Sequence, residues 1–89
     1  MQNKEIDLIL KEHGLTETEL IFKSNVKKLR ESLPVKPTLV EMANYLGLSY
    51  GTYRLIESLS PVNVKFETME RIAKFHGIPV SKLFEWESD

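Results

Sequence analysis

Apolar residues recur along this chain at the spacing of a helix face, and no stretch alternates with the period of two that a half-buried strand needs. Ile6, Ile9, Leu10 and His13 fall at i, i+3, i+4 and i+7 and predict a helix over residues 3–13, stopped by Gly14. Thr16 and Glu19 have the spacing of a capping box. They open a second helix whose Leu20, Phe22, Val26, Leu29 and Leu33 feed one apolar side as far as Pro34. Residues 34–37 read as a stiff two-proline loop. Thr38 caps a third helix with Leu39, Met42, Ala43 and Leu46 inward, which Gly47 breaks after about two turns. Ser49 starts a fourth at once, with Tyr53, Ile56 and Leu59 on its inner side. After a loop over residues 60–63, a helix over 66–76 turns Met69, Ile72 and Ala73 inward and ends at Gly77 and Pro79. A last short helix is expected over 81–86. The chain reads as an all-α domain.

Residues 38–59 carry the most information. Two short helices joined by so tight a turn must cross at roughly 90–120°. The turn then needs a residue that accepts positive φ, which Gly47 supplies. The first helix needs a small residue where the second packs across it, and Ala43 stands one turn earlier. Met42, Leu46, Leu48, Tyr53 and Ile56 complete the expected wedge. The segment therefore reads as a helix-turn-helix.

Composition narrows the chemistry. The 89 residues contain no cysteine, so disulfides, thiolate nucleophiles and sulfur metal sites are excluded. His13 and His76 have no metal-ligand spacing, and His76 reads as a half-buried structural residue. There is no glycine-rich phosphate loop and no recognisable Ser–His arrangement. Neither an enzyme, a cofactor nor a metal is expected. No apolar run is long enough for a signal peptide or a membrane span, so a cytoplasmic protein is expected. The net charge of −1 argues against a nucleic-acid partner until it is resolved along the chain. Residues 1–19 carry −3, residues 20–80 carry +4 and residues 81–89 carry −2. The middle of the chain is basic and both ends are acidic.

From Phe22 to Phe84 the sequence resembles the Cro and phage-repressor (XRE) type of helix-turn-helix domain. Phe22, Asn25, Val26, Leu29 and Arg30 match that family's first helix. Ser49, Thr52, Tyr53, Ile56 and Glu57 match its recognition helix. Glu67, Met69, Ile72 and Ala73 match the fourth, and Gly77 to Phe84 the closing one. The resemblance implies a five-helix repressor-type bundle over residues 16–89, with residues 1–15 as an extra N-terminal helix. It departs from the family at the 33–37 loop, which is about two residues longer than usual. It departs again at Leu39, which stands where the family usually has a DNA-contacting Gln.

The resemblance further implies that the helix at about 49–59 enters the major groove of double-stranded DNA. Its base-reading positions are then Tyr50, Gly51, Arg54 and Leu55. Arg54 suits either a bidentate grip on guanine or a phosphate contact, and a surface ion pair is the plain alternative. Backbone phosphates are expected at Lys36, Thr38, Ser49, Thr52, Asn63 and Lys65, near helix starts. Lys27, Lys28, Arg71 and Lys74 read as solvated surface. A homodimer is expected through Leu83, Phe84 and Trp86 or through the N-terminal helix. The function implied is transcriptional regulation in a prokaryote or phage. The competing reading is a protein-interaction module on the same fold, an antitoxin or anti-repressor. Leu39, the acidic extension and the net charge point to it.

Overall fold

The computed structural model describes residues 4–86. All of their regular structure is helical: α1 (Lys4–His13), α2 (Glu17–Glu31), α3 (Leu39–Leu46), α4 (Tyr50–Glu57), α5 (Phe66–His76) and a closing 3-10 helix (Val80–Phe84). The expected start of the first helix, Asn3, lies outside the described residues. Where the other helices begin and end follows local chemistry. Thr16 and Glu19 form both bonds of a capping box at α2, with distances of 3.1 and 2.8 Å. Thr38 and Glu41 repeat the device at α3, at 3.1 and 2.9 Å. Ser49 caps α4 by accepting from the Thr52 N–H at 3.1 Å. Gly47 closes α3 in the left-handed region at φ 70°, as the tight turn requires. Lys36, in the long loop, also has a positive φ, of 47°.

Two ends differ from expectation. Helix α4 stops at Glu57, and Leu59 lies outside it and is exposed rather than inward. The Ser58 hydroxyl donates to the Leu55 carbonyl at 2.9 Å, and Ser58 itself turns to extended backbone. The last segment is a 3-10 turn ending at Phe84, not a helix reaching Trp86. Its carbonyls are drawn sideways: Asn25 Nδ2 donates to Leu83 O at 3.0 Å and to Glu85 O at 2.9 Å. A carbonyl held by a distant side chain does not continue a helical ladder.

One core serves the whole. Phe22 and Val26 of α2 meet Met42, Ala43 and Leu46 of α3, Tyr53 and Ile56 of α4, Ile72 and Ala73 of α5, and Leu83. Tyr53, Ile56, Met42, Val26, Ile72 and Leu83 have no measurable exposure. Leu48 packs against this cluster while remaining half-buried. Every expected member of the motif core is therefore inside or against it, except that Gly47 serves the turn. Helix α1 stands apart in burial: none of its residues is buried, and Leu8 is 63% exposed. Leu15 behind it is buried, and its N–H closes on Leu10 O at 3.0 Å.

Candidate nucleic-acid interface

Helix α4 has two faces. Tyr53 and Ile56 commit one to the core, while Tyr50, Gly51, Thr52 and Arg54 are exposed on the other and Leu55 is half-buried at the edge. The Arg54 side chain has no hydrogen bond or ion pair with any described residue. Gly51 opens onto solvent: an added Cβ would meet no atom within 4 Å. A short helix thus presents one cation, one phenol and a bare backbone patch on a single edge.

Beside that edge runs an open cleft of about 300 Å³, lined by Leu48, Thr52, Ile56, Asn63, Val64, Lys65 and Thr68. It brings together three of the six residues expected to face phosphates: Thr52, Asn63 and Lys65. Lys65 is also the N-cap position of α5, where no side chain takes up the free N–H groups. An anion in the cleft would meet both a lysine and a helix N-terminus. Ser49 is differently committed: its hydroxyl accepts from the Thr52 N–H and donates to Thr52 Oγ1 at 2.9 Å. Lys36 is exposed in the loop before α3. At Thr38 the helix start is already occupied, because Glu41 Oε1 accepts the Thr38 N–H at 2.9 Å. The two expected helix starts therefore differ: that of α5 is open, and that of α3 holds a carboxylate of its own.

The pose of α4 is set from behind by a polar network that the sequence reading did not foresee. Arg30 of α2 makes a two-pronged ion pair with Glu57, Nε to Oε2 at 2.8 Å and Nη2 to Oε1 at 3.0 Å. Its Nη1 reaches back to Pro37 O at 3.0 Å. The Tyr53 hydroxyl donates to the same Glu57 carboxylate. The bond to Glu57 holds the Arg30 guanidinium above its ordinary value. Burial, and then the same carboxylate, push Tyr53 well above the usual tyrosine range. Lys23, also on α2, is 2% exposed and donates from Nζ to Leu55 O at 2.8 Å. Burial lowers its pKa, against a raising effect from Glu19. Arg71, expected as plain surface, donates from Nη1 to Leu46 O at 3.1 Å and so covers the C-terminal carbonyls of α3. The available signal for Lys23 and Arg30 was position: Lys23 stands between Leu20 and Val26, and Arg30 between Val26 and Leu33, on the apolar side of α2.

The ends of the chain bear on assembly. Leu83, expected at a dimer contact, is fully buried in its own core and offers no surface. Phe84 is half-buried and stacks on Phe22, with centroids 5.3 Å apart. Trp86 is 37% exposed, and its Nε1 donates to Glu17 Oε2 at 3.2 Å. Ile6, Ile9 and Leu10 of α1 are half-buried. His76 is half-buried as expected, with its pKa lowered by burial and its Nε2 unpartnered among the described residues. No group of three His, Cys, Asp or Glu among the described residues could hold a metal ion. No helix among them is long and apolar enough to cross a membrane.

Fold and site together define an all-helical helix-turn-helix domain with a presented fourth helix. Over 63 residues the chain is 33% identical to a cryptic phage CTXphi transcriptional repressor, RstR, of Vibrio cholerae. The match covers 71% of this chain and 54% of that protein, so the chain spans about half the length of its curated relative. No protein-family profile matches the chain, and no solved structure does.

Proposed function

We propose that this protein is a sequence-specific DNA-binding transcriptional regulator of the Cro and phage-repressor type, acting in the cytoplasm. In this reading residues 16–89 are the DNA-binding unit and residues 1–15 an appended helix. Helix α4 enters the major groove, with Tyr50, Gly51, Arg54 and Leu55 toward base edges. Thr52, Asn63 and Lys65 hold a phosphate in the adjoining cleft, and Lys36, in the loop before the capped α3 start, reaches the backbone further along. The protein binds as a homodimer, through Phe84 and Trp86 or through α1, because two-fold operators match two-fold proteins. The observation that carries the reading is the exposed edge of α4, with the Arg54 side chain unpaired among the described residues, directly beside a cleft lined by Lys65 and Thr52. The similarity to a phage repressor supports it independently.

One observation favours a second reading. The Glu41 carboxylate at the start of α3, beside Leu39, places negative charge where a phosphate would approach. A protein-interaction module of the antitoxin or anti-repressor kind would tolerate that charge. Selection of bound sequences from a random DNA pool, followed by titrations across a salt series, separates the two. Arg54→Ala is expected to lower affinity. A flattened preference at one base pair, worth about 1–3 kcal/mol, would assign Arg54 to guanine and a uniform loss would assign it to phosphate. Lys65→Ala should weaken all sequences alike and reduce the salt slope by about one. A parent protein that enriches no sequence and binds no DNA at low salt would replace this reading with the second.

A further inference from the structure

We infer that Lys23 is a positioning residue for base recognition, fixing the axial rotation of α4 through the backbone carbonyl next to Arg54; the inference rests on the DNA-binding reading above. A lysine on the inner side of α2 is unexpected on stability grounds alone. Taking an ammonium out of water costs several kcal/mol before its partners are counted, and a methionine of similar shape would fill the same space without that cost. Lys23 is nevertheless 2% exposed as a residue, and its ammonium is pointed at one place, Leu55 O at 2.8 Å, with Ile56 O at 3.5 Å. These carbonyls lie in the last turn of α4, at the negative end of its dipole, where a cation is favoured.

The location gives the bond a mechanical role. Leu55 follows Arg54 directly and is itself one of the expected reading positions, so Lys23 holds the Leu55–Ile56 peptide unit, one residue beyond the Arg54 Cα. The second tie to α2, from Arg30 to Glu57, ends on a side chain and reaches the α4 backbone only through it. Lys23 ends on the backbone, and the two cations stand seven residues apart, two turns along one face of α2. Two ties from one face resist rotation of α4 about its axis, and only the Lys23 tie reaches the α4 backbone with no α4 side chain in between. A bidentate base contact tolerates displacement of only about 0.5 Å or 10–20°. Releasing Lys23 should therefore cost discrimination before it costs overall affinity.

The test uses the full chain and the ratio of affinities for selected and scrambled DNA. Lys23→Met keeps the stem and removes the donor. Lys27→Met removes the same charge from an exposed position of α2 and controls for long-range attraction. Lys23→Met is expected to match Lys27→Met in salt slope and in affinity for scrambled DNA. Its selected-to-scrambled ratio should fall about five- to tenfold, while that of Lys27→Met stays at the parent value. A ratio for Lys23→Met within about twofold of the parent overturns the inference, as does an equal fall in both variants. Should Lys23→Met fail to fold, Lys23→Arg decides: it keeps the charge, moves the donor, and should change the ratio at constant salt slope, whereas an unchanged ratio overturns the inference. A parent that discriminates no sequence removes the DNA-binding reading itself. That result differs from a discriminating parent whose variant discriminates equally well.

Discussion

The Arg30–Glu57 pair offers the sharpest test of how the motif is held. Its side chains are 15% and 5% exposed, so both charges are largely out of water. Glu57→Leu would remove the acceptor of two Arg30 bonds and of the Tyr53 hydroxyl together. Stranding one charge of a buried pair costs about 3–5 kcal/mol, whereas replacing both by apolar residues is often near neutral. Arg30 retains Pro37 O and some contact with water, which places the expected loss at the lower end, about 3 kcal/mol. In a domain of this size each kcal/mol lowers Tm by about 4–8 °C, so Glu57→Leu should melt about 12–24 °C below the parent. Arg30→Met should lose a similar amount, and the double variant only about 1 kcal/mol. Urea denaturation of all four proteins gives the coupling energy. A value under about 0.5 kcal/mol, the scatter expected of independent sites, would show that the pair does not hold α4 to α2.

The other predictions concern single positions. Ala43→Leu should destabilise by about 1–3 kcal/mol in urea, because Ala43 is 1% exposed where α3 and α4 cross and has no room for three more carbons. Gly47→Ala should cost about 1–2 kcal/mol by the same measurement, since φ is 70° and the new methyl would stand 3.3 Å from Arg71 Nη1. His76 has a pKa below its ordinary value near 6.5, so the unfolded chain binds its proton first as pH falls. Stability from this group should be complete above that value and be lost on acidification toward the lower folded pKa. The stability difference between parent and His76→Phe should therefore shift in favour of the variant as pH falls through this window, and a pH-independent difference would contradict the assignment.

What the sequence disclosed and what it withheld divide along a physical line. The capping box at Thr16 and Glu19, the break at Gly47 and the bounds of α5 are local, because the groups that satisfy each other lie within four residues. The inner faces of α3 and α4 followed from period alone, which brought Met42, Ala43, Tyr53 and Ile56 to the core as expected. Lys23, Asn25 and Arg71 were not legible in the same way. Each donates to a backbone carbonyl between 25 and 60 residues away, and a carbonyl carries no mark of residue type. For Lys23 the trace was a charged residue on an apolar face. The closing segment failed for a related reason: Leu83 was expected at a dimer contact, and the bond from Asn25 that holds it against its own core is tertiary. The presented edge of α4 was legible because exposure is the complement of the inner period. The cleft beside it was not, since Thr52 and Lys65 are brought together by the packing of α5.

The open space above Gly51 has a consequence for how such a domain could change its preferences. Tyr50, Gly51 and Arg54 take no part in the core cluster, and a Cβ added at position 51 would meet no atom within 4 Å. Replacing Gly within a helix also gains roughly 0.5–1 kcal/mol in backbone entropy. The vocabulary displayed on this edge can thus be rewritten without negotiating with the interior. Descendants or engineered variants can diverge here in surface chemistry without losing stability, a separation of evolvable edge from invariant frame that a larger residue wedged at 51 would have foreclosed.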